Sequence, residues 1–216
     1  RHGAIVTGSD NIFEEIDKLK KGNFEKVLVI NNRYDGIDLP DESCRILIID
    51  SMPYFDGLSD RYEQLCRPHS DIISKKIAQK IEQGIGRGVR GEKDYCTILI
   101  IGSDIVKFVR SVSTRKYFSA QTRKQIDIGL SIANVAKEDL KDDESPFNIV
   151  ASLINQSLGR DEAWKAYYTT EMNSVTAQTE DSKIYEKLVA ERDIEKMYMQ
   201  GDYSKACDAM QKFIDE

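Results

Sequence analysis

Four short apolar runs punctuate the first half of the chain: Ala4-Ile5-Val6, Val27-Leu28-Val29-Ile30, Ile46-Leu47-Ile48-Ile49 and Thr97 to Ile101. Rich in β-branched residues and too short for helices, they predict strands. The apolar positions are continuous rather than alternating, which predicts burial on both faces and a mostly parallel sheet covered by helices. Between the first two runs, Ile12, Phe13, Ile16 and Leu19 recur at helical spacing, with Ser9 or Asp10 as the cap and Gly22 as the stop. Ile73, Ile77 and Ile81 stack at intervals of four and predict a helix over 71–83, with Lys75, Lys76 and Lys80 on its wet side. The predicted order is strand, helix, strand, strand, helix, strand.

Beyond Asp104 the pattern turns helical. Ile105 to Ile126 carries six basic residues and no acid, and Lys137 to Ser145 reads as an acidic, solvated link ahead of Pro146. From Pro146 onward the spacing is helical without a convincing strand. Gly201-Asp202-Tyr203 followed by Ala206, Met210 and Phe213 is similar to one tetratricopeptide helix pair, but a single match favours an ordinary helical hairpin, and Trp164, Tyr167 and Tyr168 at helical spacing favour a packing stripe over a base-stacking platform.

Composition narrows the classes. With 216 residues, 40% hydrophobic, 13 glycines and 4 prolines, the sequence is that of a globular chain and not of a collagen-like or disordered one. No apolar run approaches the length of a membrane span, and no secretory signal is present. The net charge of −6, from 31 basic and 37 acidic residues, argues against polyanion binding through the overall field but leaves a local basic path open. Cys44, Cys66, Cys96 and Cys207 form no C-x-x-C pair, and neither His2 nor His69 has ligand-spaced neighbours, so no metal site is read. Reduced, mostly buried thiols in a cytoplasmic setting are the expectation.

The densest chemical signal is Gln83-Gly84-Ile85-Gly86-Arg87-Gly88-Val89-Arg90-Gly91. Gly86, Gly88 and Gly91 satisfy G-x-G-x-x-G, but a dinucleotide cradle needs a strand leading into a helix, and here a helix runs into the glycines. A phosphate would then meet the carbonyl end of that helix, where the dipole repels anions. Read instead as Q-x-x-G-R-x-x-R, the stretch sets Arg87 and Arg90 three apart, a pair suited to a polyanion. A second polar segment, Asn31 to Pro40, follows a buried strand at its carboxyl edge, where parallel sheets bind ligands.

Together these segments resemble a family. Asn32-Arg33-Tyr34-Asp35-Gly36-Ile37-Asp38-Leu39-Pro40 looks like motif V (31–40) and Gln83 to Arg90 looks like motif VI (83–90) of superfamily 2 helicases, both from the second RecA-like domain. The Tyr-Asp-Gly-Ile-Asp-Leu-Pro variant, followed by Cys44-Arg45 and a strand ending near Met52-Pro53, is similar to a DEAD/DEAH-type subgroup that includes bacterial restriction and phage-defence proteins. The resemblance covers about residues 1–110. It implies an α/β, RecA-like domain over 1–110 and a helical C-terminal region over 111–216.

The resemblance also implies roles. Arg87 and Arg90 match the arginines of which at least one reaches the γ-phosphate of ATP held on the first RecA-like domain. Gln83 matches the residue that orders that interface. Gly36 and Asp38 match the pair coupling nucleotide to nucleic acid, with Asn32 and Arg33 facing the strand path. Asp35 stands before Gly36 where an arginine is usual. The implied cofactors are ATP and Mg²⁺, and the implied partners are the N-terminal RecA-like domain and DNA or RNA, with a protein partner for the helical region. No G-x-x-x-x-G-K-[ST] occurs in the sequence, so nothing here cradles the β- and γ-phosphates. Asp161-Glu162-Ala163-Trp164 mimics a Walker B box but follows no strand and reads as an exposed helix start.

Two readings stay open for the basic stretch. Lys107, Arg110, Arg115, Lys116, Arg123 and Lys124 interleave with Phe108, Tyr117 and Phe118, as in a single-strand path. An amphipathic helix with core aromatics fits equally, and Arg115 and Lys116 are the candidate strand contacts. For the chain as a whole, the alternative to a helicase half is a non-catalytic RecA-like module that docks a nuclease or other partner.

Overall fold

The computed structural model describes residues 3–6, 11–34, 36–67, 70–87, 95–140, 145–176 and 182–215. Strand β1 (Ala4–Val6) leads through helix α1 (Ile12–Lys20) to β2 (Val27–Val29), and a single 3-10 turn at Asp41–Ser43 precedes β3 (Ile46–Ile49). Helices α2 (Leu58–Cys66) and α3 (Asp71–Ile85) then lead to β4 (Thr97–Ile100). The strands pair in parallel, β1 with β2 and β3 with β4, with Ile5 opposite Leu28 and Leu47 opposite Ile98. After β4 the described chain is helical: α4 (Ser103–Arg110), α5 (Val112–Arg115), α6 (Ala120–Glu138), α7 (Pro146–Leu158), α8 (Glu162–Asn173), α9 (Ser182–Met199) and α10 (Tyr203–Asp215).

The predicted ends of these elements have local causes. Gly22 closes α1 with φ of 82°, the left-handed conformation that glycine adopts without strain. The Ser9 and Asp10 caps lie outside the described residues, and the residue at the cap position of α1 is Asn11. Helix α3 is capped by Ser70, whose hydroxyl accepts from the Ile72 amide. Asp161 caps α8, accepting from the amides of Ala163 at 3.0 Å and Trp164 at 3.1 Å. That carboxylate is committed to the helix N-terminus, as its exposed-start reading required.

Two apolar clusters hold the α/β part. Ile12 and Ile16 of α1 pack with Ile37, Leu39 and Cys44, while Ile73, Ile77, Ala78 and Ile81 of α3 pack with Ile49, Ile105, Val109, Phe118 and Ile126. Leu47 of β3 packs against both clusters, so the two meet at that strand. The expectation of burial on both faces is corrected here. Alternate residues Val27 (60% exposed), Ile46 (44%) and Ile48 (53%) stand open, because among the described residues neither of those helices covers their side.

Helix α2 is not foreshadowed by periodicity. It buries no residue, and Leu58, Tyr62 and Leu65 are exposed. What joins it to α3 is Lys76, whose Nζ lies 3.1 Å from Asp60 and 2.9 Å from Glu63. The predicted wet side of α3 is therefore engaged, and the bond that Lys76 donates to Glu63 raises its ammonium above its ordinary value, with the bond to Asp60 adding to it. The cysteines also depart from expectation: Cys44 is buried and Cys96 half-buried, whereas Cys66, at the end of the solvated α2, and Cys207 are exposed.

The chain divides into two compact units, Arg1–Thr176 and Ala177–Glu216. In the second, α9 and α10 pack as a helical hairpin, with Ile194 and Ala206 buried and Tyr198 edge-on to Tyr203 at 5.1 Å.

Candidate functional site

Strand β2 delivers the chain into segment 31–40 at its carboxyl edge. Asn32 takes a left-handed backbone, φ 51°, which asparagine tolerates better than most residues. Its side-chain amide donates to the Tyr54 carbonyl at 3.0 Å and to Asp56 at 3.1 Å, and its oxygen accepts from the Tyr54 amide at 3.2 Å. Lys80 of α3 donates to the same Tyr54 carbonyl at 2.8 Å. Asn32 thus ties the loop after β2 to the loop after β3, while its neighbour Arg33 is exposed.

Tyr34 is anchored at both ends. Its hydroxyl donates to the Ser51 carbonyl at 2.9 Å, and its ring lies against α3 at Gly84. A Cβ at Gly84 would come within 2.5 Å of Tyr34 Cδ1, so only glycine lets helix and ring approach this closely. Burial pushes the Tyr34 phenol above its ordinary value.

Arg87 follows on the turn after Gly84. Its Nε and Nη2 donate to the Tyr34 carbonyl at 3.0 Å and 2.7 Å, and its Nη1 donates to the Ile37 carbonyl at 2.5 Å. One guanidinium therefore grips two backbone carbonyls of segment 31–40. The rigid fork of arginine suits this use, presenting three nitrogens in one plane to the two carbonyls.

Beyond the grip the loop alternates. Ile37 and Leu39 are buried at 5% and 7% exposure, and their anchoring lifts Gly36 and Asp38 to the surface. Gly36 has φ 74° with open space where a Cβ would be, so its glycine serves backbone conformation and not packing. Gln83 is exposed on the last turn of α3. Asp35, Gly88 and Arg90 lie outside the described residues. The structure thus joins Arg87 to the loop carrying Asn32, Gly36 and Asp38. Tyr34 and Gly84 complete the junction, and their only sequence signal was a glycine on the last turn of a buried helix.

The basic stretch resolves differently. Phe118 is 3% exposed and stacks edge-on with Phe108 at 5.9 Å in the core. These two rings are packing residues, as the amphipathic reading had it. Arg115 pairs with Asp127, and Lys116 Nζ stands 3.7 Å from Asp71 and 4.8 Å from the Tyr117 ring centre. Tyr117 itself donates to Asp71. Lys124 pairs with Glu171 of α8, while Lys107 and Arg110 are exposed on α4.

The described strands pair in parallel against helices, consistent with part of an α/β RecA-like domain, and the turn carrying Arg87 is bonded to the loop after β2. The family model of the helicase C-terminal domain matches residues 7–125, more than half of the chain. The chain belongs to this family, the C-terminal helicase domain of superfamily 2 DEAD/DEAH-type helicases. No curated protein and no solved structure matches it. Among the described residues no helix is long and apolar enough to cross a membrane.

Proposed function

We propose that this chain is the second RecA-like half, over residues 1–110, of an ATP-dependent nucleic-acid helicase or translocase, followed by a helical region over 111–216. The observation that carries this reading is the grip of Arg87 on Tyr34 and Ile37, because it makes motif V and motif VI one mechanical unit. In this reading the two arginines divide the work. Arg87, engaged by carbonyls, braces the strand-side loop, and Arg90, three residues on, meets the phosphates of a nucleotide held on the first RecA-like domain. Gln83 orders the cleft between the halves, and Gly36 and Asp38, exposed on the braced loop, transmit its state to the strand with Arg33. Asn32 fixes the base of the loop.

ATP with Mg²⁺, when bound between the halves, supplies the phosphoryl chemistry that drives movement. In this reading the chain supplies one side of that site, with Arg90 bringing guanidinium charge, and its sequence holds no phosphate-cradling loop. A charge delivered across a cleft of this kind is worth roughly 10³ to 10⁵ in rate. By itself the chain should hydrolyse no ATP. Arg115 and Lys116 join the strand path only by exchanging Asp127 and Asp71 for phosphate. The motif V variant supports a setting among bacterial restriction or phage-defence helicases, in the cytoplasm.

The test is ATP turnover by the polypeptide that joins this chain to a Walker A-bearing half. Replacing Arg90 by Ala should lower turnover at least about a hundredfold, with nucleotide affinity changed only a few fold. Unchanged turnover would remove the finger assignment. A second reading, a non-catalytic docking module, draws on the open Val27, Ile46 and Ile48 side of the strands. It expects no turnover in any context.

A further inference from the structure

Cys44 and Cys96 are 52 positions apart, yet their Sγ atoms lie 3.9 Å from each other. The backbone enforces this meeting. Cys44 ends the 3-10 turn before β3, Cys96 is the residue before β4, and Ile46 stands opposite Thr97 in the parallel pair. The Thr97 amide donates to the Arg45 carbonyl at 2.9 Å, holding the two strand starts together just where the thiols sit. Cys44 also packs with Ile12, Ile16, Ile37 and Leu39, with Cys96 against the same cluster, so neither side chain can swing far away.

The neighbourhood makes the two thiols unequal. The hydrogen bond from Cys96 holds the Cys44 thiol below the usual thiol range despite its burial, helped by Arg45, while the same bond and burial push the Cys96 thiol far above it. Cys44 is thus the more ready thiolate, and thiolates are the sulfur nucleophiles.

We propose that Cys44 and Cys96 are an oxidation-sensitive pair that closes reversibly into a disulfide bridging the starts of β3 and β4. A peroxide is the oxidant. The Cys44 thiolate attacks one peroxide oxygen, the O–O bond breaks, and hydroxide leaves to take up the proton Cys44 lost, giving water and a sulfenic acid. The Cys96 sulfur then attacks the Cys44 sulfur, the S–O bond breaks, and the departing oxygen leaves as water with the Cys96 proton. Two thiols and one hydrogen peroxide become one disulfide and two waters, with two electrons passing from sulfur to oxygen. Bringing the sulfurs to the bond length of about 2.0 Å needs side-chain rotation over a short path. The proposal is independent of the helicase reading.

The four cysteines provide their own controls, since Cys66 and Cys207 are exposed and Cys44 and Cys96 are not. The purified chain is treated with hydrogen peroxide, quenched by alkylation under denaturing conditions, digested and analysed by mass spectrometry. The expected product is a Cys44–Cys96 linked peptide, lighter by about two hydrogen masses than the two thiol peptides together, and lost on treatment with a dithiol. The folded chain should also melt several degrees higher oxidised than reduced. In Cys96→Ser the linked peptide should vanish and Cys44 should proceed to sulfinic acid, having no partner to resolve it. Oxidation of Cys66 and Cys207 in the unaltered chain with no Cys44–Cys96 link, or links between chains alone, would overturn the proposal, and that measurement needs no variant to fold.

Discussion

Arg87 grips the carbonyl oxygen of Tyr34 twice, through Nε at 3.0 Å and Nη2 at 2.7 Å, across 53 positions of sequence. Charge-assisted bonds from a guanidinium to carbonyls are stronger than neutral ones, and this one is partly shielded from solvent. Removing the guanidinium would leave two carbonyls to find water and would free the loop carrying Gly36 and Asp38.

The first prediction separates the two arginines. In the joined polypeptide, Arg87→Ala should abolish the stimulation of ATP turnover by single-stranded nucleic acid while lowering the unstimulated rate only a few fold. Arg90→Ala should depress both rates. Steady-state turnover with and without a saturating strand measures the difference, and equal losses from both substitutions would return Arg87 to the phosphate.

Gly84→Ala tests the contact beneath the grip. A Cβ 2.5 Å from the Tyr34 ring forces ring or helix to shift, and overpacking of this kind costs about 1–3 kcal/mol. Adding Tyr34→Ala should recover part of that loss. A double-mutant cycle by denaturant unfolding reads the coupling, and strictly additive effects would show that ring and helix do not meet.

Salt dependence tests the basic stretch. If Arg115 and Lys116 leave Asp127 and Asp71 for phosphate, replacing both by Ala should flatten the logarithmic salt slope of strand binding by about one or two counterions. An unchanged slope would confine them to their ion pairs.

Lys76→Met addresses α2. With Asp60 and Glu63 both 43% exposed, the pairs contribute little to global stability, about 1 kcal/mol or less. The expected effect is local: faster amide exchange over 58–66 with the exchange of α3 unchanged. Equal acceleration in both helices would mean that α2 and α3 open together.

The strands, α1 and α3 were legible because dense β-branched runs and fourfold isoleucine spacing have few other uses. Helix α2 was not, since charge and not apolar burial fixes it, and an ion pair between Lys76 and two acids leaves no periodic trace. The covering of the strands was misjudged for a related reason: a run such as Ile46 to Ile49 records hydrophobicity but not which side meets a helix. At the site, the two segments resembling motifs V and VI announced the family. The partners of Arg87 were invisible because they are backbone carbonyls, which every residue has. Phe108 and Phe118 illustrate the reverse case, where interleaving with cations suggested a binding path and the rings went into the core.

The open side chains of Val27 on β2 and of Ile46 and Ile48 on β3 bear on how the molecule behaves in a tube. Apolar side chains left in contact with water on a sheet surface make a protein adhesive, and the loss of that contact is favourable whoever provides the cover. Solutions of this chain should therefore scatter more light as they are concentrated, more so at high salt, where the repulsion from its net charge of −6 is screened. A charged residue at Ile48, whose side chain is 53% exposed, should restore clear solutions without disturbing the packed side of the strand.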